Sequence, residues 1–248
     1  MAIRIKNLKA FILCGGKATR LKGLNGDLPK PLMKTHGKPI MAYLLCEIAN
    51  LFEAIIVCHA HHPNLYHERL LGHVPENILH SISYEKDTEI EGTAFAVQRY
   101  LPRGDDFWAI FNGDTLFSNY RSLIPNKINK NEVIFSTSCQ EIGRSNVFTQ
   151  DPGSSLFSVK QNRHGESKDI SIVSNGLIFL GPEAVKKFAE LELNAREPFE
   201  QALLRFQRQS GLLFSNHQSG SEFLDYGTPA EFSDDRGNMS KFISTHEV

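Results

Sequence analysis

Through the first half of the chain, short runs of β-branched and aromatic residues alternate with stretches of helical periodicity, the pattern of crossover units on a mostly parallel sheet. Strands are expected at Ala10–Cys14, Ala54–His59, Ile78–Tyr84 and Phe107–Phe111. Helices are expected at Pro39–Asn50, Asn64–His73 and Thr93–Leu101, each long enough to cross the sheet and return in parallel. After Asp114 the texture changes. Val133–Cys139, Val147–Thr149, Leu156–Lys160 and Ile170–Leu180 read as strands separated by polar turns, and helices follow near Pro182–Leu193 and Pro198–Gln209. This half adds mixed or antiparallel strands. The polar stretch Gln161–Asp169 reads as an exposed loop, and Gly237–Val248 as a weakly ordered tail.

At 248 residues the chain can build one large α/β core, whereas two domains would each have a thin one, so residues 1–236 are expected to form a single domain followed by the tail at 237–248. A net charge of -1 offers no general attraction to nucleic acid or to an anionic membrane, and any anionic ligand must be held by a local site. Three of the four cysteines (Cys14, Cys46, Cys58 and Cys139) sit in apolar runs, and none forms a C-x-x-C pair, which fits a reducing compartment. No run reaches the ~20 apolar residues of a membrane span. A cytoplasmic location is the expectation.

The run Leu13-Cys14-Gly15-Gly16-Lys17-Ala18-Thr19-Arg20-Leu21 follows a buried-type strand, where an α/β sheet opens at the carboxyl ends of its strands. Glycines there let several backbone N–H groups approach phosphate oxygens, and Lys17, Arg20 and Lys22 add positive charge. A tight βα turn with solvated basic residues fits the same letters. Two further segments narrow the choice: Pro29-Lys30-Pro31-Leu32, and Gly37-Lys38-Pro39-Ile40 opening the next helix.

Together these segments resemble the N-terminal signature GGxGTRL…PKPL…GKP of the sugar-1-phosphate nucleotidylyltransferases. The resemblance implies a Rossmann-like α/β/α fold with a mixed, mostly parallel central sheet, an NTP and a sugar 1-phosphate as substrates, and Mg²⁺ as cofactor. It places Arg20 and Lys30 on the triphosphate, where fixed cations stabilise developing negative charge. Leu13, Gly15, Gly16, Lys17, Ala18 and Thr19 would line the nucleotide. The family's third signature glycine is Ala18 here; where that position needs positive φ, alanine costs about 1 kcal/mol.

Asn112-Gly113-Asp114-Thr115 ends a buried-type strand, which brings Asp114 to the same sheet edge as the glycine loop. A plain turn explains Asn-Gly-Asp equally well. In Asp225-Tyr226-Gly227-Thr228-Pro229-Ala230-Glu231, the last four residues form a capping box with proline at N1, but Asp225 needs another explanation. The run resembles the family's D-x-G-T-P motif, whose aspartate shares the metal with the aspartate ending the central strand, so Asp114 and Asp225 are the expected Mg²⁺ ligands.

By the same resemblance Glu85, Gly92 and Thr93 lie against base and ribose, Asn112 is substrate-binding, Lys160 lies near the sugar phosphate, and backbone groups of Asn175 and Gly176 meet the sugar hydroxyls. A strand-to-helix turn competes at Gly92–Thr93, and an ordinary strand turn at Asn175–Gly176. The histidines of Cys58-His59-Ala60-His61-His62 are candidate transition-metal ligands, yet no Cys or carboxylate accompanies them at ligand spacing. Small heptose-1-phosphate guanylyltransferase-like members are the nearest subclass in length and motif, and a homodimer is an open option. Three rivals stay open: a cytidylyltransferase of a phosphorylated non-sugar, a glycosyltransferase of similar architecture, and a non-catalytic nucleotide-binding regulator.

Overall fold

The computed structural model describes residues 6–15, 28–60, 63–86, 92–141, 146–150, 157–161, 170–226 and 242. Its strands are β1 (Leu8–Cys14), β2 (Lys34–Thr35), β3 (Lys38–Pro39), β4 (Ile55–His59), β5 (Ile82–Lys86), β6 (Phe107–Asn112), β7 (Thr115–Phe117), β8 (Glu132–Glu141), β9 (Asn146–Gln150), β10 (Phe157–Gln161), β11 (Ile170–Leu180), β12 (Leu213–Gln218) and β13 (Phe223–Asp225). The helices are α1 (Ile40–Ile48), α2 (Pro63–Leu70), α3 (Glu76–Ser81), α4 (Thr93–Tyr100), α5 (Pro182–Phe188) and α6 (Phe199–Phe206).

One nine-stranded sheet organises the molecule, in the order β10-β9-β11-β6-β1-β4-β5, with β8 between β11 and β12 off this path. The stretch β6-β1-β4-β5 is parallel, and β11 joins it antiparallel to β6. The sheet is therefore mixed, with its parallel half built from the first 112 residues. Alternate residues of β1 face two cores. Ala10, Ile12 and Cys14 pack with residues of α1, α2 and α3, and Phe11 and Leu13 pack with α4, α5 and α6. Helices thus cover both faces, which is why β1 reads as a continuous apolar run rather than an alternating one.

Ile78–Ser81, expected as strand, is helix. The run Ile-Leu-His-Ser-Ile is too short to fix a period, and Pro75 as N-cap with Glu76 in the first turn starts a helix that ends only at Ile82. Cys46 is exposed on α1 despite its apolar neighbours, whereas Cys14 and Cys58 are buried. Five of the described strands escaped the hydrophobic pattern, among them the two-residue β2 and β3. β12 is a polar edge strand, and β7 and β13 have three residues each, too few to show a period. The expected loop beyond Gln161 lies outside the described residues, as does most of the tail, but Phe242 is 7% exposed and packed in the core beside α1. No helix among the described residues is long and apolar enough to cross a membrane.

Candidate active site

Strands β1 and β6 run side by side in parallel, so Leu13 pairs with Asn112 and the chain emerges at one sheet edge as Gly15 and Asp114. Gly113 donates its N–H to the Leu13 carbonyl at 3.0 Å. A Cβ on Gly113 would run into the Cys14 sulfur and come within 3.2 Å of Pro31 Cγ and 3.3 Å of Ile12 Cγ2. Glycine here is what lets the Pro29–Leu32 turn close onto the end of β6. Pro29 and Pro31 are buried anchors, and Lys30 between them is left pointing at Asp114.

Lys30 Nζ donates to Asp114 Oδ2 and lies 4.0 Å from Asp225 Oδ1. Asp225 arrives by backbone pairing. β13 runs antiparallel to β7 with Asp225 opposite Thr115, and the Tyr226 N–H donates to the Asp114 carbonyl at 3.2 Å. Two acidic side chains far apart in sequence therefore share one cationic neighbour at the carboxyl edge of the sheet. Among the described residues, no group of three or more His, Cys, Asp or Glu side chains is arranged to hold a metal. Two carboxylates suit Mg²⁺, which takes one or two and fills its remaining positions with phosphate oxygens and water. The ammonium between them is a stand-in positive charge, and the pair fits the cofactor.

A second group forms around β11. Gly176, at φ +77°, sits in the irregular stretch between Ser174 and Ile178, and a Cβ there would lie 2.5 Å from Asn112 Nδ2. Asn112 and Gly176 are thus in direct apposition. The Asn175 side chain turns inward. It is 2% exposed; its amide donates to Ser136 and Ser138 hydroxyls at 3.0 and 3.2 Å, and its oxygen accepts the Leu177 N–H at 3.2 Å. That side chain holds the bulge together.

Glu200, which the sequence reading passed over, accepts the Ser174 hydroxyl proton, and the Ser174 oxygen in turn accepts the Gly176 N–H at 3.4 Å. An acidic residue in the first turn of a helix is already accounted for by the helix dipole, so Glu200 gave no separate signal. Lys160 lies on β10 opposite Val147, which pairs with Val173, so its backbone is aligned just before the bulge; its side chain lies outside the described residues.

Glu85, next to the end of β5, is level with Cys58, which is level with Leu13, about 10 Å away at two strand spacings. Gly92 has φ +130°, and a Cβ on it would lie within 3.0 Å of the Arg196–Glu197 backbone. Its glycine requirement thus comes from the Asn194–Pro198 corner, against which Thr93 Oγ1 also accepts the Phe199 N–H at 2.9 Å. Gly16, Lys17, Ala18, Thr19 and Arg20 lie outside the described residues, as do His61 and His62. His59 is fully buried, with its ring 4.8 Å from that of Tyr66 and 6.0 Å from that of Tyr84. Burial, with help from the Asp114 charge, pushes the Cys14 thiol well up, so it acts in packing rather than as a nucleophile.

The family profile described as "Nucleotidyl transferase" matches residues 9–146, more than half of the chain. The chain belongs to the nucleotidyl transferase family. The D-glycero-alpha-D-manno-heptose 1-phosphate guanylyltransferase of Campylobacter jejuni is 24% identical over 232 residues, 91% of this chain and 97% of that protein. The bifunctional protein GlmU of Methanococcus aeolicus is 30% identical over 124 residues; this match takes in half of the chain but only 29% of that relative's length. Among solved structures, HddC from Yersinia pseudotuberculosis superposes with a TM-score of 0.72 at 21% identity, covering 92% of this chain and 97% of that one. The inositol-1-phosphate CTP transferase of T. maritima gives 0.72 at 14% identity, covering 96% and 98%. The fold of the family members is thus the Rossmann-like α/β architecture described above.

One charged group near the site makes an acid-stability prediction. Hydrogen bonds from Arg205 first, and from Asn194, hold the Glu197 carboxyl at about 2 against the opposing effect of its burial. Its folded pKa is depressed, so the stability it contributes is complete above its ordinary value near 4.5 and is lost as pH falls from there toward 2. With Arg205 more than a third exposed, water screens the pair and its share is about 1–2 kcal/mol. Urea midpoints at pH 6, 4 and 3 should therefore fall less steeply in Glu197→Gln than in wild type; parallel slopes would show that this pair does not control acid stability.

Proposed function

We propose that this chain transfers a nucleoside monophosphate from an NTP to a sugar 1-phosphate in the cytoplasm, releasing pyrophosphate. The observation that carries this reading is the convergence of Lys30, Asp114 and Asp225 at the carboxyl edge of β6, beside the strand β1 that feeds the glycine loop. Asp114 and Asp225 would hold Mg²⁺, which supplies Lewis-acid polarisation of the phosphate oxygens when bound. Lys30 faces the same point and would neutralise charge on the phosphates, with Arg20 in the same role by its motif position. Asn112 and the Gly176 bulge, with Ser174 and Glu200 behind it, form a polar wall beside that point and suit the hydroxyls of an acceptor.

The reaction needs no protein base. A phosphate monoester has a second pKa of about 6 and is mostly dianionic at neutral pH, so its oxygen attacks the α-phosphorus directly. One O–P bond forms as the bond to the pyrophosphate oxygen breaks. The protein's task is to align the two phosphates, keep out bulk water and offset the charge.

The similarity to a heptose 1-phosphate guanylyltransferase over nearly the whole length of both chains favours a guanylyl transfer to a heptose or hexose 1-phosphate. Pyrophosphate release from GTP, ATP, CTP and UTP, each against a panel of sugar 1-phosphates and phosphorylated polyols, tests this. GTP with a sugar 1-phosphate is expected to react fastest by at least ~10-fold, the discrimination a hydrogen-bonded base site achieves with ease. Turnover only with CTP and a polyol phosphate would replace the sugar reading, and NTP binding without turnover would replace catalysis altogether.

A further inference from the structure

The corner between α5 and α6 is held more firmly than a helix-to-helix connection requires. Glu197 is 9% exposed, and its two carboxylate oxygens accept the Asn194 N–H at 3.0 Å, the Asn194 side-chain amide at 3.3 Å, and Arg205 Nε and Nη2 at 3.0 and 2.9 Å. Arg205 Nη2 also donates to the Glu192 carbonyl at 2.8 Å. Between them Arg196 is kept at φ +59°, a conformation that a side chain other than glycine adopts only when its surroundings impose it.

The contacts made by this corner lead to the Gly92–Thr93 turn, which the motif resemblance sets against the nucleotide, and to the Gly176 bulge beside Asn112. On one side the Glu197 carbonyl accepts the Ala94 N–H at 3.2 Å, the Phe199 N–H donates to Thr93, and the corner's backbone fills the place of a Gly92 side chain. On the other, Glu200 begins the helix that Pro198 caps and takes the Ser174 hydroxyl, which receives the N–H of Gly176 beside Asn112. The turn at Gly92–Thr93 and the bulge at Gly176 come from opposite halves of the sequence and lie in different elements. The Asn194–Glu200 segment is the short piece of chain bonded to both.

We infer that the Glu197–Arg205 pair is a positioning device that fixes the spacing between the Gly92–Thr93 turn and the Gly176 bulge, and so sets affinity for nucleotide and acceptor together. Neither residue touches a reacting atom. A hydrophobic pair of similar size would hold the helices as well, since an ion pair this close to water adds only modestly to stability. What it gives instead is a single geometry: a guanidinium fork locks the carboxylate in one orientation, and the carboxylate locks the loop. The functional part of this inference rests on the transfer reading above.

The test compares Arg205→Met and Arg205→Lys with wild type in two independent measurements. In hydrogen exchange on the ligand-free protein, the Ala94 and Phe199 amides are expected to exchange at least ~10-fold faster in Arg205→Met, as for a lost charge-assisted bond, while β6 amides stay as in wild type. In steady-state pyrophosphate release, KM for NTP and for acceptor is expected to rise together by ~10-fold in Arg205→Met with kcat within about threefold, and Arg205→Lys, which keeps the charge without the fork, should fall between. A merely structural pair predicts the opposite split, kcat falling with the folded fraction at unchanged KM, and that result overturns the inference. So does unchanged exchange at Ala94 and Phe199. If wild type releases no pyrophosphate with any substrate pair, the transfer reading fails by itself, and calorimetric NTP affinity of the same variants still decides the role of the pair.

Discussion

Asp114→Asn is expected to lower turnover at least ~10³-fold while leaving the protein folded, because it removes a charge from the pair that would hold the metal, and metal-borne charge stabilisation is worth several kcal/mol in the transition state. Asp225→Asn is expected to do the same. The fold tolerates both. Asp225 is more than half exposed, its backbone pairing with Thr115 does not involve the carboxylate, and in either variant Lys30 keeps one acidic neighbour. The measurements are pyrophosphate release, far-UV circular dichroism and Mn²⁺ binding by calorimetry in the presence of a non-hydrolysable NTP. A variant that retains wild-type turnover removes its carboxylate from the metal site, and one that keeps Mn²⁺ affinity while losing turnover reassigns it to phosphate alignment.

The positions of these aspartates were legible in the sequence to different degrees and for physical reasons. Asp114 could be read because a strand buried on both faces is an unbroken apolar run, and its end marks the sheet edge. Asp225 could not be read that way. Its strand has three residues and pairs with β7, equally short, so neither carries a hydrophobic period, and only the resemblance of its motif joined it to Asp114. The same limit explains α3, where a run as short as Ile78–Ser81 fits the helical and the strand period alike.

Side-chain commitments were the least legible layer. Asn175 and Gly92 carry motif letters that suggest ligand contact, yet the structure uses the first to satisfy buried Ser136 and Ser138 and the second to admit the Arg196–Glu197 backbone. Such uses depend on residues that approach from other elements, and no local pattern records them. Glu197 and Arg205 show the converse. At a spacing of eight on a loop and a helix they look like solvated surface charges, whereas nearly complete burial of the carboxylate makes them a fixed corner. Motif letters thus do not say which of their side chains face outward.

Lys30→Met is expected to lower kcat by about 10²–10³-fold, the cost of removing one preorganised cation from a transition state rich in negative charge. A second consequence separates its role from a general loss of folding. Lys30 is the cation shared by Asp114 and Asp225, so the variant leaves two carboxylates at the end of the β7–β13 ladder without the positive charge between them. Without divalent ions its melting temperature should fall below that of wild type at low ionic strength. Added Mg²⁺ should then raise it by more than it raises wild type, because the ion restores the missing positive charge where wild type already has one. Lys30→Arg, held by the same Pro29 and Pro31, should keep the stability and lose part of the rate, since the guanidinium is wider than the space an ammonium occupies. Equal Mg²⁺ responses in Lys30→Met and wild type would mean that the lysine and the ion occupy separate electrostatic environments, and the two aspartates would then have to be assigned to Lys30 alone.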